Sequence, residues 1–471
     1  MRRTKIVCTI GPSSDGLLQE LIGAGMDVAR LNASHSSLKE QASRIQRIRE
    51  AAAQAGRHIG ILLDIQGPKI RIGDLEPDPV FLESGETFTL TSEPITGDAS
   101  RASVSYPSFA RLLQPGGTVY LDDGLIELRV ERIEGGLAHC RVVTGGQLRS
   151  RKGVTLPGAE LDWPALTETD RECIRFGVAH GVDFVAASFV RRPEHVVQVK
   201  QAIREAGGEQ PVIAKIENHE GVRHLEEIAD EADGLMVARG DLGVQIPAEE
   251  VPLVQKRIIA ACNRRGKPVI TATQMLESMV HNPRPTRAEV TDVATAIFDG
   301  TDAVMLSGET AAGRYPVAAV RVMDRIARRT EGAIVYDQLL AGRTSGPSPS
   351  IAEAISYATC RAASDLHAAA ILTSTQSGST ARMVSKFRPG TPILAMTPFP
   401  EVARRLSLVW GVEPIVVPYT RNIDDMIDVA VDAAERHGYV RKGDRVIITA
   451  GVKTGEPGST NLLQVYTVNG G

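Results

Sequence analysis

Short apolar runs alternate along the chain with longer amphipathic, alanine-rich segments. Eight runs precede residue 310: KIVCTIG (5–11), MDVARLN (26–32), IGILLDI (59–65), VDFVAAS (182–188), PVIAKIE (211–217), GLMVAR (234–239), PVITAT (268–273) and DAVMLSG (302–308). Such alternation is typical of parallel strands covered by helices. Because a closed (β/α)₈ TIM barrel has eight strands, the pattern predicts this α/β architecture for residues 1–66 and 161–335.

One long connection interrupts the alternation between the third and fourth runs. It contains GETFTLTS, TVYLDDGLIELRVERI and LAHCRVVTGG, separated by Gly-Gly, Asp-Gly and Pro-Gly turns. These segments predict antiparallel hairpins. We interpret residues 67–160 as a small inserted β-barrel domain. Inserted at the carboxyl end of a barrel strand, it would cover the active-site face as a lid.

A third domain is predicted for residues 336–471. The segment GRTSGPSPS (342–350) has the composition of a linker. Strand candidates AAAILTST, TPILAMT, VEPIVVP, DRVIITAG and LLQVYTV follow it, with helices predicted over 351–366 and 422–437. This order is typical of a doubly wound α/β domain.

Composition and charge restrict the class of protein. Apolar residues make up 42% and charged residues 23% of the chain, as in ordinary globular proteins. The net charge of −4 argues against nucleic acid or an anionic membrane as the main partner. No run resembles a membrane span or a signal peptide, so we expect a cytoplasmic protein. The five scattered cysteines lack a C-x-x-C pair, which predicts reduced core thiols.

Polar residues cluster where the predicted barrel strands end. They are Arg30, Asn32, Ser34, His35, Asp64, Lys69, Arg71, Lys215, Glu217, Arg239, Gly240, Asp241, Thr273, Gln274, Ser307 and Glu309. The carboxyl ends of barrel strands meet at one mouth, so these side chains should converge. Glu217 and Asp241 could share a hard divalent cation such as Mg²⁺. Arg30, Arg71 and Lys215 suit phosphate and carboxylate groups, so the set predicts phosphoryl transfer without a P-loop.

Each of these residues also has a purely structural interpretation. Lys215 and Glu217 could form an ion pair that closes the barrel end, and Asp241 could cap a helix. Thr273 could bond only to the backbone, and residues 122–124 (Asp-Asp-Gly) are typical of a hairpin turn. Two histidines are more often packed or exposed than catalytic: His35 and His219.

Nine stretches resemble the pyruvate kinase family, in order and over nearly the whole chain. They are RTKIVCTIGPSS, GMDVARLNASHSS, LLDIQGPKIR, KGVTLPG, IAKIENHEGV, MVARGDLGVQIP, TATQMLESM, PRPTRAEVTDVA and DAVMLSGETAAGRYP. The resemblance implies the same three-domain fold and transfer of the phosphoryl group of phosphoenolpyruvate to ADP, giving pyruvate and ATP as the last step of glycolysis. It also implies Mg²⁺ (or Mn²⁺), allosteric control by a phosphorylated metabolite, and a homotetramer.

The resemblance assigns roles to individual residues. Lys215 would neutralise charge on the phosphoryl group in transfer and on the enolate oxygen, and Thr273 lies where the enolate is protonated. Glu217 and Asp241 would ligate Mg²⁺, and Arg30 would hold the phosphate. The substrate would be bound by Arg30, Lys215, Gly240, Asp241 and Thr273. The nucleotide phosphates would face Asn32, His35, Arg71 and Lys152, with Asp123 of the lid approaching on closure.

One position departs from the K⁺-dependent members of the family. Their K⁺ ligands match Asn32, Ser34, Asp64 and the carbonyl of Ile65. Where they carry glutamate in D-T-K-G-P-E-I-R, this chain carries Lys69 in D-I-Q-G-P-K-I-R, as in the K⁺-independent branch. Because a tethered ammonium supplies one positive charge, we predict that K⁺ is not required. The alternative is that Lys69 points elsewhere and K⁺ still binds.

The third domain carries STQSGSTA between a predicted strand and a predicted helix. By resemblance this is the effector site, since a helix N-terminus with hydroxyls can hold phosphate; a capping turn is the structural alternative. The residues are Ser374, Thr375, Gln376, Ser377, Gly378, Ser379 and Thr380. Members activated by fructose 1,6-bisphosphate carry lysine in place of Gln376 and a Trp-Arg pair where this chain has Glu456. We therefore expect AMP or a sugar monophosphate.

Two other interpretations compete with this one. The chain could be another phosphoenolpyruvate-using barrel, such as a mutase or a phosphotransfer-system component, although the latter needs a phosphorylatable histidine in its own domain. It could also be a catalytically silent homologue kept for metabolite binding. A silent homologue is free to lose the residues that are intact here: Arg30, Lys215, Glu217, Asp241 and Thr273.

Overall fold

The first three barrel strands alternate with two helices before the chain leaves the barrel. The computed structural model describes residues 2–34, 37–343, 349–451 and 460–468. The opening elements are β1 (Lys5–Thr9), α1 (Leu18–Ala24), β2 (Val28–Asn32), α2 (Leu38–Gln54) and β3 (Gly60–Asp64). Ser37 and Glu40 form a capping box that fixes the start of α2.

The insertion after β3 is a β domain, as predicted. Its strands are β4 (Val80–Leu82), β5 (Thr87–Thr91), β6 (Arg101–Ser103), β7 (Thr118–Leu121), β8 (Ile126–Glu134), β9 (Leu137–Thr144), β10 (Gly146–Leu148) and β11 (Val154–Thr155). They form a six-stranded sheet, β11-β7-β8-β9-β5-β6, and a two-stranded sheet, β10-β4, around one apolar core. Arg71 pairs with Gly153 beside β11, and Ile72 pairs with Val104 beside β6, so this segment joins both edges of the six-stranded sheet and closes the predicted small barrel. Asp122 and Asp123, at φ of +50° and +54°, lie in the β7–β8 hairpin turn.

The chain then returns to the barrel and completes it. The elements are α3 (Glu168–Ala179), β12 (Phe184–Ala187), α4 (Pro193–Glu205), β13 (Val212–Ile216), α5 (His219–Arg223), α6 (Leu225–Glu231), β14 (Gly234–Ala238), α7 (Arg239–Gln245), α8 (Val251–Arg265), β15 (Val269–Ala272), α9 (Arg287–Asp299), β16 (Ala303–Leu306), α10 (Gly308–Ala311), α11 (Pro316–Glu331) and α12 (Tyr336–Gly342). The closed order is β1-β2-β3-β12-β13-β14-β15-β16, with all pairs parallel. The prediction of eight barrel strands is confirmed.

The third domain has the predicted doubly wound arrangement. Its elements are α13 (Ile351–Asp365), β17 (Ala370–Ser374), α14 (Ser379–Lys386), β18 (Ile393–Thr397), α15 (Pro400–Leu406), β19 (Val412–Val416), α16 (Ile423–Arg436), β20 (Arg445–Gly451) and β21 (Thr460–Thr467). The sheet order is β19-β18-β17-β20-β21, with β21 antiparallel at the edge. The exact domain bounds stay predictions. Within the described ranges, no helix has the length and apolarity needed to cross a membrane.

The third domain closes the floor of the barrel, at the amino ends of its strands. Leu408 is fully buried and belongs to the apolar cluster that fills the barrel interior. The Gly60 N–H donates to Ser407 Oγ at 3.1 Å, and Lys5 Nζ donates to the Val412 carbonyl at 2.7 Å. The floor therefore joins the two domains, and the opposite face is left for the lid and the polar mouth.

Candidate active site

Lys215 lies at the centre of the barrel mouth, near the end of β13. Its Nζ is 3.0 Å from Glu217 Oε1 and 3.2 Å from Asp64 Oδ1. It also donates to Ser188 Oγ at 2.7 Å. Arg30 reaches the same region from β2, with Nε 2.8 Å from Asp64 Oδ2. The structure therefore brings two cations and two buried carboxylates together, as the convergence of strand ends predicted.

Burial and charge act against each other in this cluster. Burial alone would raise the pKa of Asp64, but Lys215 and Arg30 outweigh it, so its pKa lies below the usual range. Burial lowers the pKa of Lys215, yet the carboxylates of Asp64 and Glu217 raise it above the usual value. The ammonium therefore stays charged at neutral pH. The ammonium is also largely shielded from water. In such a low-dielectric site its field acts strongly on a nearby anion.

Glu217 is the carboxylate in the cluster whose charge is least well compensated. Its pKa is raised, because burial and the nearby Asp241 outweigh the lowering effect of Lys215. The Phe189 N–H also donates to Glu217 Oε2 at 2.6 Å. A cation bound between Glu217 and Asp241 would offset both the burial of the Glu217 carboxylate and its repulsion by Asp241. The two side chains therefore fit a hard divalent cation by the chemistry of their donors.

The described residues offer only a partial ligand set for such a cation. No group of three or more His, Cys, Asp or Glu side chains in the described ranges could hold a metal ion. Mg²⁺ commonly binds proteins through one or two carboxylates and takes its other ligands from water and substrate phosphates. Glu217 and Asp241 match that habit, and they do not match a fully enclosed structural site.

Lys69 bridges the lid and the barrel beside this pair of carboxylates. Its Nζ is 3.0 Å from Asp241 Oδ1 and 3.0 Å from Asp123 Oδ1 of the lid. Burial lowers its pKa, but Asp241 and Asp123 raise it above the usual value. Asp241 does not cap a helix: α7 begins at Arg239, and Asp241 lies in its first turn without capping it. That structural alternative is wrong.

The residues predicted for a monovalent cation are not joined to Lys69. The Ser34 N–H donates to Asn32 Oδ1 at 3.0 Å, and Ser188 Oγ donates to the Ile65 carbonyl at 2.7 Å. In the described part of the chain, the hydrogen bonds and ion pairs of Lys69 go to other residues. The predicted set comprises Asn32, Ser34, Asp64 and Ile65.

Thr273 occupies a strained turn at the end of β15. Its φ of +67° lies in the left-handed region, which a β-branched residue rarely adopts. The Gly240 N–H donates to Thr273 Oγ1 at 2.8 Å, and this hydroxyl donates to the Ala272 carbonyl at 2.6 Å. Arg239 holds the turn by donating to the Thr273 carbonyl at 2.6 Å. Strain that the surroundings maintain in this way is typical of functional sites.

Two of the predicted nucleotide residues, Arg71 and Lys152, belong to the lid, and Asn32 ends barrel strand β2. Arg71 Nη1 donates to the Arg151 carbonyl at 3.0 Å. Lys152 Nζ is 2.8 Å from Asp122 Oδ1 in the hairpin turn. His35 lies outside the described residues. The cleft between lid and barrel has a volume of about 720 Å³ and is lined by Lys69 and Asp241 among others, but not by Arg71 or Lys152.

The predicted effector segment forms the turn that precedes α14. Gly378, at φ of +81°, donates its N–H to Thr375 Oγ1 at 2.9 Å, and α14 begins at Ser379. The capping-turn alternative therefore describes part of its geometry. The Gln376 side chain is exposed. Glu456 lies outside the described residues.

Ser188 escaped the sequence analysis, and Arg239 was recognised there only as a polar residue at a strand end. Ser188 follows β12 and contacts both Lys215 and Asp64 through its hydroxyl. Arg239 anchors the Thr273 turn and is itself paired with Asp292 at 2.7 Å. Ser188 could have been found from the sequence, because it is a polar residue at the end of an apolar run. No local pattern distinguishes Arg239 as an anchor, because its partners are distant in sequence.

Comparisons with known proteins agree with this geometry. Residues 1–320 match the model of the pyruvate kinase barrel domain, and residues 353–466 match that of the pyruvate kinase alpha/beta domain. A pyruvate kinase of Geobacillus stearothermophilus is 51% identical, over 99% of this chain and 81% of the relative. One of Clostridium acetobutylicum is 47% identical, over 99% of this chain and 100% of the relative. One of Sporosarcina psychrophila is 49% identical, over 99% and 81%.

Proposed function

Since this chain belongs to the pyruvate kinase family of phosphotransferases, we propose that the barrel mouth transfers the phosphoryl group of phosphoenolpyruvate to ADP. The observation that carries the proposal is the position of Lys215. Its ammonium is held by Asp64, Ser188 and Glu217 in a site from which water is largely excluded. A fixed positive charge in such a site stabilises charge that develops on transferred phosphoryl oxygens.

The residues of the mouth divide the work of the reaction. Lys215 neutralises the phosphoryl group in flight and the enolate oxygen left behind, and Arg30 holds the phosphate. Asp64 fixes both cations, because each of its oxygens contacts one of them. Mg²⁺ held by Glu217 and Asp241 would supply further charge neutralisation on substrate oxygens.

The Thr273 turn positions the carboxylate end of the substrate. The Gly240 N–H and the Thr273 hydroxyl lie at the start of α7, where backbone N–H groups favour an anion. The hydroxyl also lies on the side from which the enolate carbon is protonated, through water. Arg239 is a positioning residue, since it contacts the turn and is not proposed to contact the substrate.

Pyruvate formation tests the proposed reaction. The complete protein is incubated with phosphoenolpyruvate, ADP and Mg²⁺, and pyruvate and ATP are measured in matched buffers with and without K⁺. We expect both products at equal rates in the two buffers, and none when ADP or Mg²⁺ is omitted. No product in either buffer, with AMP and sugar monophosphates also added, would contradict the proposal and favour a silent homologue.

We also propose that Lys69 makes the reaction independent of K⁺. Its ammonium lies 3.0 Å from Asp241, a proposed metal ligand, so one tethered positive charge is already present at the mouth. The Lys69 ammonium extends into the mouth from the lid side. It does not contact Asn32 or Ser34 in the described structure. The proposal therefore rests on the charge at the mouth and not on a match to the predicted K⁺ ligands.

Replacing Lys69 with methionine tests this role. We expect Lys69→Met to lower kcat at least about tenfold in K⁺-free buffer, because a charge beside the transferred group is lost. Addition of K⁺ should restore part of the rate. Lys256→Met, which removes an exposed lysine paired with Asp299 on the outer helices, is the matched control and should behave as the parent. If the parent enzyme stops when K⁺ is replaced by a bulky organic cation, the proposal is wrong.

We further propose that a phosphate monoester, such as AMP or a sugar monophosphate, binds at the turn before α14. The turn presents the amino end of α14 and several hydroxyls, which suit a phosphate. Beside it lies a hollow of about 360 Å³, lined by Gln376 and Tyr419 among others.

An aspartate substituted at the start of α14 distinguishes a loss of effector binding from a loss of stability. A negative charge at a helix N-terminus stabilises the helix by about 0.5 kcal/mol, yet it repels phosphate. We therefore expect Ser379→Asp to weaken activation by AMP or sugar monophosphates at least about tenfold while the melting temperature is kept. Ser379→Asn is the neutral control and should retain the response. Activation of both variants at parental effector concentrations would exclude this turn as the site.

We propose that the protein assembles as a homotetramer through its barrel and third domains. Strand β21 leaves one edge of its sheet without a described partner strand, and Val465 on it is 46% exposed. On the barrel, Phe298 of α9 is 57% exposed. Open edges and exposed apolar side chains are features of subunit contacts. Sedimentation equilibrium measures the mass that decides this point.

A further inference from the structure

A small cavity lies on the barrel floor, between the barrel and the third domain. Its lining includes Asn263 and Lys267 from the barrel, with Arg382, Ser385, Lys386 and Arg388 from the third domain. It lies at the amino ends of the barrel strands, so it is separate from the mouth. It also differs from the hollow beside the effector turn, which has other lining residues.

Arg388 is buried in this cavity with part of its guanidinium unpaired. The residue is 3% exposed. Its Nη2 donates to Asn263 Oδ1 at 2.8 Å, to the Gly300 carbonyl at 2.9 Å and to Asp302 Oδ2 at 3.0 Å. Its Nε and Nη1 are buried and have no hydrogen-bond partner among the described residues. Buried donors of a cation are costly to leave unpaired, so an acceptor is expected beside them.

The positively charged side chains around the cavity outnumber the carboxylates that form ion pairs with them. Lys386 is paired with Glu353 at 2.5 Å. Among the described residues, Lys267 donates only to backbone carbonyls, and Arg382 donates only to the Ser377 carbonyl at 3.3 Å. Burial lowers the pKa of both Lys267 and Arg382, and the carboxylate of Asp233 only partly offsets this effect. The cavity is therefore an electropositive site with spare donors.

The size of the cavity restricts what can enter it. Its open space amounts to about 210 Å³, part of which is continuous with solvent. A nucleotide or a sugar phosphate would exceed the space. A tetrahedral oxyanion offers several acceptor oxygens to guanidinium and ammonium donors in a small volume.

We propose that this floor cavity binds a small inorganic oxyanion, such as phosphate or sulfate. The anion would accept from the unpaired nitrogens of Arg388 and lie within reach of Lys267 and Arg382. It would thereby join the third domain to the barrel floor. Because Arg382 also contacts Ser377 of the effector turn, the anion would stiffen α14 between the turn and the barrel.

Trp410 provides a local reporter of binding. The Arg388 guanidinium lies 4.7 Å from the centre of the Trp410 ring. The chain contains two tryptophans, and Trp163→Phe leaves Trp410 as the sole indole. Titration of this variant with inorganic phosphate at constant ionic strength should give a saturable change in fluorescence, and sulfate should compete.

Three variants made in the Trp163→Phe background locate the response. Lys267→Gln with Arg382→Gln should weaken phosphate binding at least about tenfold, and neither change leaves a carboxylate without its ion-pair partner. Lys442→Gln, at an exposed lysine of the same domain, is the matched control and should bind as the parent. Ser379→Asp should also bind as the parent, because it perturbs only the effector turn.

The outcomes decide the proposal in each case. Absence of a saturable change, parental affinity in the double variant, or loss of the response in Ser379→Asp would each overturn it. If the double variant does not fold, crystals of the parent protein soaked in selenate replace it. An anomalous peak within hydrogen-bond distance of Arg388 Nη1 would support the site, and no peak there would overturn it.

Discussion

Replacing Lys215 with methionine is expected to lower kcat by at least roughly 10³-fold. The substitution removes the one ammonium that contacts both Asp64 and Glu217, and with it the charge that faces the phosphoryl group and the enolate oxygen. Binding of phosphoenolpyruvate should weaken less, because Arg30 still holds the phosphate. Steady-state pyruvate formation and a separate binding titration measure the two effects.

Stability must be measured beside activity for this variant. Removing one partner of a buried ion pair commonly costs about 3–5 kcal/mol, so Lys215→Met should also lower the free energy of unfolding. Lys215→Arg keeps the charge with a different geometry and should fold better while it remains strongly impaired. Lys200→Met removes an ion-paired lysine from the outer surface and serves as the control. A Lys215→Met protein that folds and retains more than about a tenth of kcat would contradict the assignment.

Replacing Glu217 with glutamine is expected to separate metal binding from stability. Burial and Asp241 already raise the pKa of Glu217, and Lys215 keeps its ion pair with Asp64, so Glu217→Gln should cost less folding free energy than Lys215→Met. Loss of a carboxylate ligand should nevertheless weaken Mn²⁺ binding at least about tenfold and lower kcat/KM by roughly 10³-fold. Electron paramagnetic resonance of Mn²⁺ measures binding without turnover.

Glu309→Gln is the matched control for that experiment. Glu309 is a buried carboxylate at the mouth, but its oxygens accept the N–H groups of Leu276 and Ser307. We expect this variant to lose stability and to keep its affinity for Mn²⁺. If both variants lose Mn²⁺ affinity equally, Glu217 acts through the packing of the mouth rather than as a ligand.

Hydrophobic patterning was sufficient to predict the barrel and the third domain. Continuous apolar runs are strands buried on both faces, and each of the eight predicted runs contains one barrel strand. The same pattern located the site, because polar residues at strand ends must share the mouth. The segment that closes the lid barrel was not predictable, since hairpin signals specify neighbouring strands and do not show that Arg71 and Ile72 pair with the two sheet edges.

Side-chain partners that are distant in sequence escaped the analysis. Lys69 was assigned to a monovalent-cation site from its place in a motif, but its contacts are with Asp123 and Asp241, which lie 54 and 172 residues away. Ser188 and the floor contact of Leu408 depend in the same way on how separate elements meet. Motif matching gives the residue type at a position, whereas the direction of a long side chain depends on the assembled fold.

The position of Mn²⁺ tests the central claim most directly. Crystals of the complete protein would be grown with Mn²⁺ and an analogue of phosphoenolpyruvate, and the metal located by anomalous diffraction. The account predicts one peak about 2.2 Å from carboxylate oxygens of both Glu217 and Asp241, with the analogue beside Lys215. A peak that contacts neither carboxylate, or an analogue bound away from Lys215, would contradict phosphoryl transfer at this mouth.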